Sequence, residues 1–472
     1  MKERVKTILL FLLVCSSIFM TQKLWMQLPN EFIKSFSTKE TSSVYYSLSD
    51  MIAPNNYLLN FGNKNHTILN NDSNNSLWEN SRAIITNLLD SNNIIISEIN
   101  KDQYLNYQEE RSLVLYFPEE VNTYILAKTW NVKTPNNIAD TIPNINEIYI
   151  YLGSEDPFFV FSDKTRFILV EDSTIDNALL KGDLTQIKES GNYNNYYSMR
   201  EGYGIENDIY IPSEMKTTLP VVYVSNVIAT LEEDEKRNVA ERFLEKDIAY
   251  IREIVESNGS TIYVFNNRSL KLNVNGTLEY FHPLEERIVD RNLYTSLSTV
   301  AQFITQKSST VEGMYLSGIE DIKSDQNVGY RLTFKYRVRG IPVLLGNRNV
   351  GDYIQIEVFN NHIRSYKQLS RREMEVGLNT SLENKPILSS YYVLDKNYPF
   401  LVKEYLLYSN SNEQNEENIR NEVLSSIEDI SLSYYDPNLK DKSEQLIGVW
   451  VIRLNGKEYA FNAYTGNLVF EK

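Results

Sequence analysis

The sequence predicts an α+β protein: an N-terminal transmembrane helix followed by a multi-domain extracytoplasmic region of helices packed on antiparallel β-meanders. Three observations predict it. A strictly apolar run near the N-terminus follows a basic segment. Windows with apolar residues at helical spacing alternate with short runs rich in Tyr, Ile, Val and Phe. Asn-Gly and Thr-Gly pairs punctuate those runs where hairpin turns belong.

The anchor comes first. Lys2, Arg4 and Lys6 against one acid, Glu3, precede the run Ile8, Leu9, Leu10, Phe11, Leu12, Leu13, Val14, Cys15, Ser16, Ser17, Ile18, Phe19 and Met20. Counted through Leu28 the segment makes roughly 31 Å of helix at about 1.5 Å per residue, which matches a hydrocarbon core of about 30 Å. Lys6 and Lys23 suit the two interfaces, the second by snorkelling its ammonium outward. Trp25 suits the headgroup level. The charge asymmetry puts residues 1–7 in the cytoplasm and everything after about Leu28 outside it. A cleaved signal peptide is the rival reading, but its one small-x-small pair, Cys15 and Ser17, sits inside the apolar run. Ser16, Ser17 and Thr21 are small or hydroxyl residues of the kind that let helix backbones approach in lipid.

Residues 29–44 read as a polar tether, followed by three α+β domains over 45–200, 205–290 and 291–472. At 472 residues and 42 % hydrophobic content the chain exceeds one ordinary domain and has material for real cores. In the first domain Ser76 is placed to cap a helix carrying Leu77, Trp78, Ile84, Ile85, Leu88 and Leu89. Runs at 112–117, 147–152 and 158–161 read as buried strands. The Gly/Asn/Tyr-rich stretch 189–197 reads as a connection. In the middle domain Thr230 and Glu233 suggest a capping box for a helix reaching about Val255. Strands over 261–265, 270–274 and 278–281 follow, with a turn at Asn275-Gly276. The third domain opens with a helix near 293–306 and strands over 330–339, 353–359 and 362–369. A last helix near 416–427 precedes strands at 430–434, 448–454, 458–462 and 468–471. The reading is helix then antiparallel meander, three times over.

Composition restricts partners and chemistry. A net charge of −15, from 62 acidic and 47 basic residues, opposes nucleic-acid binding. The single cysteine lies in the anchor, so the exported part has neither disulfide nor thiol nucleophile. His66, His282 and His362 stand in no metal-ligand spacing. No nucleophile elbow or phosphate loop occurs. The pairs Glu109-Glu110, Glu119-Glu120 and Glu285-Glu286 are sequence neighbours, which rarely face one substrate. The expectation is therefore no catalytic residues, no cofactor and no metal.

Several segments, taken in order, resemble the YycH family. They are Val5-Lys-Thr-Ile-Leu-Leu10 with Lys23-Leu-Trp25, Leu113-Val-Leu-Tyr-Phe-Pro118 and Asn275-Gly-Thr-Leu-Glu-Tyr-Phe-His-Pro283. Further on are Ala301-Gln-Phe-Ile304, Met314-Tyr-Leu316 and Tyr330-Arg-Leu-Thr-Phe-Lys-Tyr-Arg-Val-Arg-Gly-Ile-Pro-Val343. The resemblance implies a single-pass, non-enzymatic regulator of the essential WalK/WalR (YycG/YycF) two-component system of Gram-positive bacteria, which tunes cell-wall metabolism. It implies two partners, a WalK/YycG-like sensor histidine kinase and a YycI-like protein. Tyr459-Ala-Phe-Asn-Ala-Tyr-Thr-Gly466 also looks like the closing hairpin of a PepSY-type module, and a PepSY-like binding or inhibitory module for an exported peptidase is the alternative. An anchored cell-wall hydrolase is the third.

Overall fold

The computed structural model describes residues 46–472 apart from 72–75, 155, 213–214, 216–217, 309–312, 325, 347–351, 375–385, 410–414 and 439–442. The anchor and tether, including Lys6, residues 8–20, Thr21, Lys23 and Trp25, lie outside the described residues. No helix among the described residues is long and apolar enough to cross a membrane.

Mixed α+β structure is borne out, and two large sheets dominate it. The first has nine strands in the order Ile95–Ile99, Phe167–Glu171, Phe158–Ser162, Asn144–Tyr151, Ser112–Asn122, Asn56–Asn60, His66–Asn70, Tyr196–Ser198 and Tyr210–Pro212. Its central strands are buried on both faces, as their unbroken apolar runs require. One face packs under the Leu77–Asp90 helix, which buries Leu77, Trp78, Ser81, Ile84, Ile85, Leu88 and Leu89. The other face carries Leu58, Val114, Tyr149, Val160 and Phe167, and Tyr104 of the Lys101–Gln108 helix stacks on Phe167 at 4.7 Å. That helix begins where Asn100 accepts from the Gln103 amide and Gln103 accepts in return, a reciprocal cap.

The second sheet has 13 strands and runs from Arg252–Val255 at one edge to Leu468–Glu471 at the other. Strand pairing passes through position 290, because Thr277–Phe281 pairs with His362–Leu369. Its pairings are antiparallel except one: Val343, Leu344 and Leu345 run parallel to Tyr434, Tyr435 and Asp436. Helices precede the strands they cover. The Glu233–Leu244 helix packs on Thr261–Phe265 and Arg268–Leu272, and Leu293–Lys307 packs on Ile354–Phe359 and His362–Leu369. Leu297, Val300, Ala301 and Ile304 supply the buried stripe of the latter, at helical spacing. Each larger one stabilises by roughly 1.5–3 kcal/mol on leaving water. The opposite sheet face is polar, where Arg331 meets Glu320 at 2.8 Å and Glu357 at 3.0 Å, and Glu357 also meets Arg364 at 2.6 Å.

Some local expectations differ from what forms. The middle helix stops at Leu244 because Glu245 takes a left-handed backbone (φ 55°), and the chain then enters the edge strand Arg252–Val255. Glu232, not Thr230, opens that helix, its amide donating to the Glu235 carboxylate at 2.9 Å. Ser76 does not cap its helix; its hydroxyl donates to Asp183 at 3.1 Å instead. The stretch read as a connection begins inside the Ala178–Ser190 helix, which ends on left-handed Gly191, and closes with strand Tyr196–Ser198. The 20-residue helix Ser390–Ser409 escaped notice because Pro399 lies inside it and its apolar moment is spread around the axis by aromatics.

Candidate functional site

The polar chemistry of the described chain concentrates where three distant segments form a short sheet. Tyr223–Asn226 is its centre, with Arg371–Glu373 on one side and Ser443–Gln445 on the other. Arg371 comes one residue, Ser370, after strand His362–Leu369, and Asp436 is the last residue of strand Ile427–Asp436. The sheet thus draws one guanidinium and two carboxylates into the protein interior, with side-chain exposures of 1 % for Arg371, 0 % for Asp436 and 4 % for Glu444.

Arg371 grips Asp436 in a two-pronged pair, Nε to Oδ2 and Nη2 to Oδ1, both at 3.0 Å. Nη2 also donates to Glu444 Oε2 and to Asn438 Oδ1, both at 2.8 Å. Asp436 accepts further from the Tyr353 hydroxyl at 3.0 Å and the Asn438 amide at 2.8 Å. The charges do not balance, since two carboxylates share one cation. Burial therefore pushes the Glu444 carboxyl up, with Arg371 opposing and Asp436 reinforcing the rise.

An open groove of about 510 Å³ adjoins this cluster. Glu444, Leu446 and Ile447 line one side, and Tyr434, Pro437 and Tyr464 line another. Tyr434 is fixed by its hydroxyl donating to the Pro220 carbonyl at 2.6 Å. Gly448 lets the chain near Leu219 come close, because a Cβ there would sit 2.5 Å from Leu219 Cδ1.

Two further buried titratable groups lie in the first sheet. Glu147 is 8 % exposed and burial pushes its carboxyl up to about 7, opposed by the nearby hydroxyls of Ser162 and Tyr104. His66 is 3 % exposed and burial pulls its ring down to about 4; its Nδ1 lies 2.6 Å from Asn60 Oδ1. Arg337 ties the two large sheets together. It donates to the carbonyls of Asn71 (3.2 Å) and Pro54 (3.4 Å) and lies 4.1 Å over the Tyr315 ring.

His282 and His362, far apart in sequence, are brought together, with ring centroids 4.4 Å apart and the His362 Nε2 3.0 Å from the His282 carbonyl. His66 is buried at the start of strand His66–Asn70. The carboxylate pairs Glu109-Glu110, Glu119-Glu120 and Glu285-Glu286 are exposed. Among the described residues no three His, Cys, Asp or Glu side chains converge as metal ligands would. Arg371, Asp436 and Glu444 escaped the sequence reading, which ended its strands at 369 and 434. The available signal was a charged residue two positions beyond each strand end, at Arg371 and Asp436.

No family model and no curated protein matches this chain. Among solved structures, an uncharacterized protein from Eubacterium rectale is 15 % identical over 56 % of this chain and 92 % of its own, with a TM-score of 0.35. The C-terminal domain of YpeB from Bacillus megaterium is 13 % identical over 51 % of this chain and 97 % of its own, with a TM-score of 0.25.

Proposed function

We propose that this chain is a non-enzymatic, membrane-anchored regulator that modulates an essential sensor histidine kinase controlling cell-wall metabolism. Its contacts are made through the anchor at residues 8–28 and through the extracytoplasmic α+β region, with a WalK/YycG-like kinase and a YycI-like protein as partners. The observation that carries this reading is the ordered set of segments from Val5 to Val343 that resembles the YycH family. Regulation by such contacts requires that the protein bind two states of the kinase with different affinity. Co-purification of the full chain from native membranes tests it. Recovery of a histidine kinase and a smaller single-pass protein is expected; recovery of neither overturns the proposal. A lytic band from residues 46–472 on peptidoglycan zymography would replace it with the hydrolase reading.

A second reading has its own support. The closing hairpin, Lys457–Asn462 with Leu468–Glu471, resembles a PepSY-type ending in sequence, and Asn462 and Tyr464 line the groove. A PepSY-like module of this kind would act on an exported peptidase without the anchor. Retained inhibition by residues 46–472 alone favours this reading, and loss of all effect without the anchor favours the first.

A further inference from the structure

The cluster at Arg371 has an open ledger of hydrogen bonds. Glu444 Oε1 and Arg371 Nη1 are buried and have no hydrogen-bonding partner of ordinary donor–acceptor type among the described residues. Arg371 Nη2 donates to Asp436 Oδ1 at 3.0 Å and to Glu444 Oε2 at 2.8 Å, so one guanidinium nitrogen holds both carboxyl groups side by side, and two buried carboxyls held that close titrate as a coupled pair. Asp436 already accepts four hydrogen bonds, from Arg371 twice, Tyr353 and Asn438. That leaves Glu444 as the proton's carrier. With the proton present the cluster is one cation and one anion; without it a net negative charge is sealed away from water.

We propose that Glu444 carries a proton beside the ionised Asp436, making Ser443–Gln445 a pH-sensitive latch that clamps the Tyr223–Asn226 strand and the groove wall at low pH and loosens them as the pH rises. The strand is short, so the latch is a large share of what holds it. Glu444 stands opposite Val224, and its backbone pairing covers only Tyr223, Val224 and Ser225. Among the described residues, the groups that face the pair come from several elements. Arg371 comes from the far strand with Glu373, itself tied to Arg339 at 2.6 Å. Asp436 and Tyr434 come from strand Ile427–Asp436, and Tyr353, packed on Tyr336 at 4.4 Å, and Asn438 come from the flanking turns. On the central strand the apolar Val224 is the residue in register with Glu444.

Hydrogen exchange on the full chain, corrected for the intrinsic pH dependence of exchange, tests the latch. Amides of 223–226, 371–373 and 443–446 are expected to open about tenfold more per pH unit from pH 5 up to the titration of the pair, then level off. Helix Leu293–Lys307 should show no such change. Glu444→Gln, which has no proton to lose, should abolish the slope. An infrared titration in a Glu119→Gln, Glu147→Gln, Asp429→Asn background, where the other carboxyls that burial raises are silent, stands without the Glu444 variant. It should show a protonated-carboxyl band lost as the pH rises. A flat wild-type exchange profile, an unchanged slope in Glu444→Gln, or the absence of that band overturns the proposal.

Discussion

Replacing Glu147 by Gln should make the first sheet more stable in mildly alkaline solution and remove a pH dependence that the wild type carries. Glu147 lies on strand Asn144–Tyr151, opposite Tyr116 and Ser162 on its neighbours. Its carboxyl rises from 4.5 to about 7 on folding, first because burial penalises the charge. The native state therefore keeps a proton that the unfolded chain has lost. The stabilisation is complete below about pH 4.5 and fades as the pH climbs through about 7. At roughly 1.4 kcal/mol per unit the loss totals about 3 kcal/mol. His66 acts in the opposite sense. Its ring falls from 6.5 to about 4, so its contribution is complete above 6.5 and is lost as the pH falls toward 4. Between about pH 4.5 and 6.5 the two slopes cancel, and a flat wild-type profile would conceal both. Urea unfolding followed by tryptophan emission suits the test, because Trp78 and Trp130 pack edge to face in this region. The wild-type-minus-variant difference should change by about 3 kcal/mol from pH 4.5 to 7.5. A difference that stays constant over that range would refute the reasoning about Glu147.

Arg371→Met strands two buried carboxylates and should cost about 3–5 kcal/mol, read as a lowered urea midpoint. Gly329→Ala sets a Cβ 2.5 Å from the Val358 carbonyl oxygen and 2.7 Å from Phe359 Cδ1. It should cost about 1–3 kcal/mol through overpacking between strands, again by urea titration; an unaltered midpoint would show that the strands can part. Arg337→Lys gives up a planar fork to two carbonyls and the Tyr315 stack, and should lower stability by about 1–3 kcal/mol. Limited proteolysis of the 46–71 segment would locate that loss. Phe334→Ala empties a fully buried site and should cost about 3–5 kcal/mol by the same unfolding measurement.

What could be read from sequence was governed by how local the signal was. The Leu293–Lys307 helix and the Thr277–Phe281 strand declared themselves through spacing and through Asn275-Gly276, whose Gly takes φ 88° in the turn. The edge strand Ile95–Ile99 did not, because its partner Phe167–Glu171 lies far along the chain and its own side chains are half exposed. The parallel pairing of Val343–Leu345 with Tyr434–Asp436 had no local mark either, since only tertiary packing selects it. The candidate site was the least legible part. Its three charged residues look like ordinary surface positions until strands from three separate stretches of chain bury them together.

The short sheet also sets an order of events during synthesis. Strand Tyr223–Asn226 has no sheet partner among the described residues until Arg371–Glu373 arrives, and the arrangement is complete only with Ser443–Gln445. At ribosomal speeds of about 5–20 residues per second, that strand waits roughly ten to forty seconds for its last neighbour. The nine-stranded sheet, whose strands all end by Pro212, can be assembled long before then. A nascent chain arrested near residue 300 should thus already protect the first sheet from protease while leaving 223–226 open to cleavage.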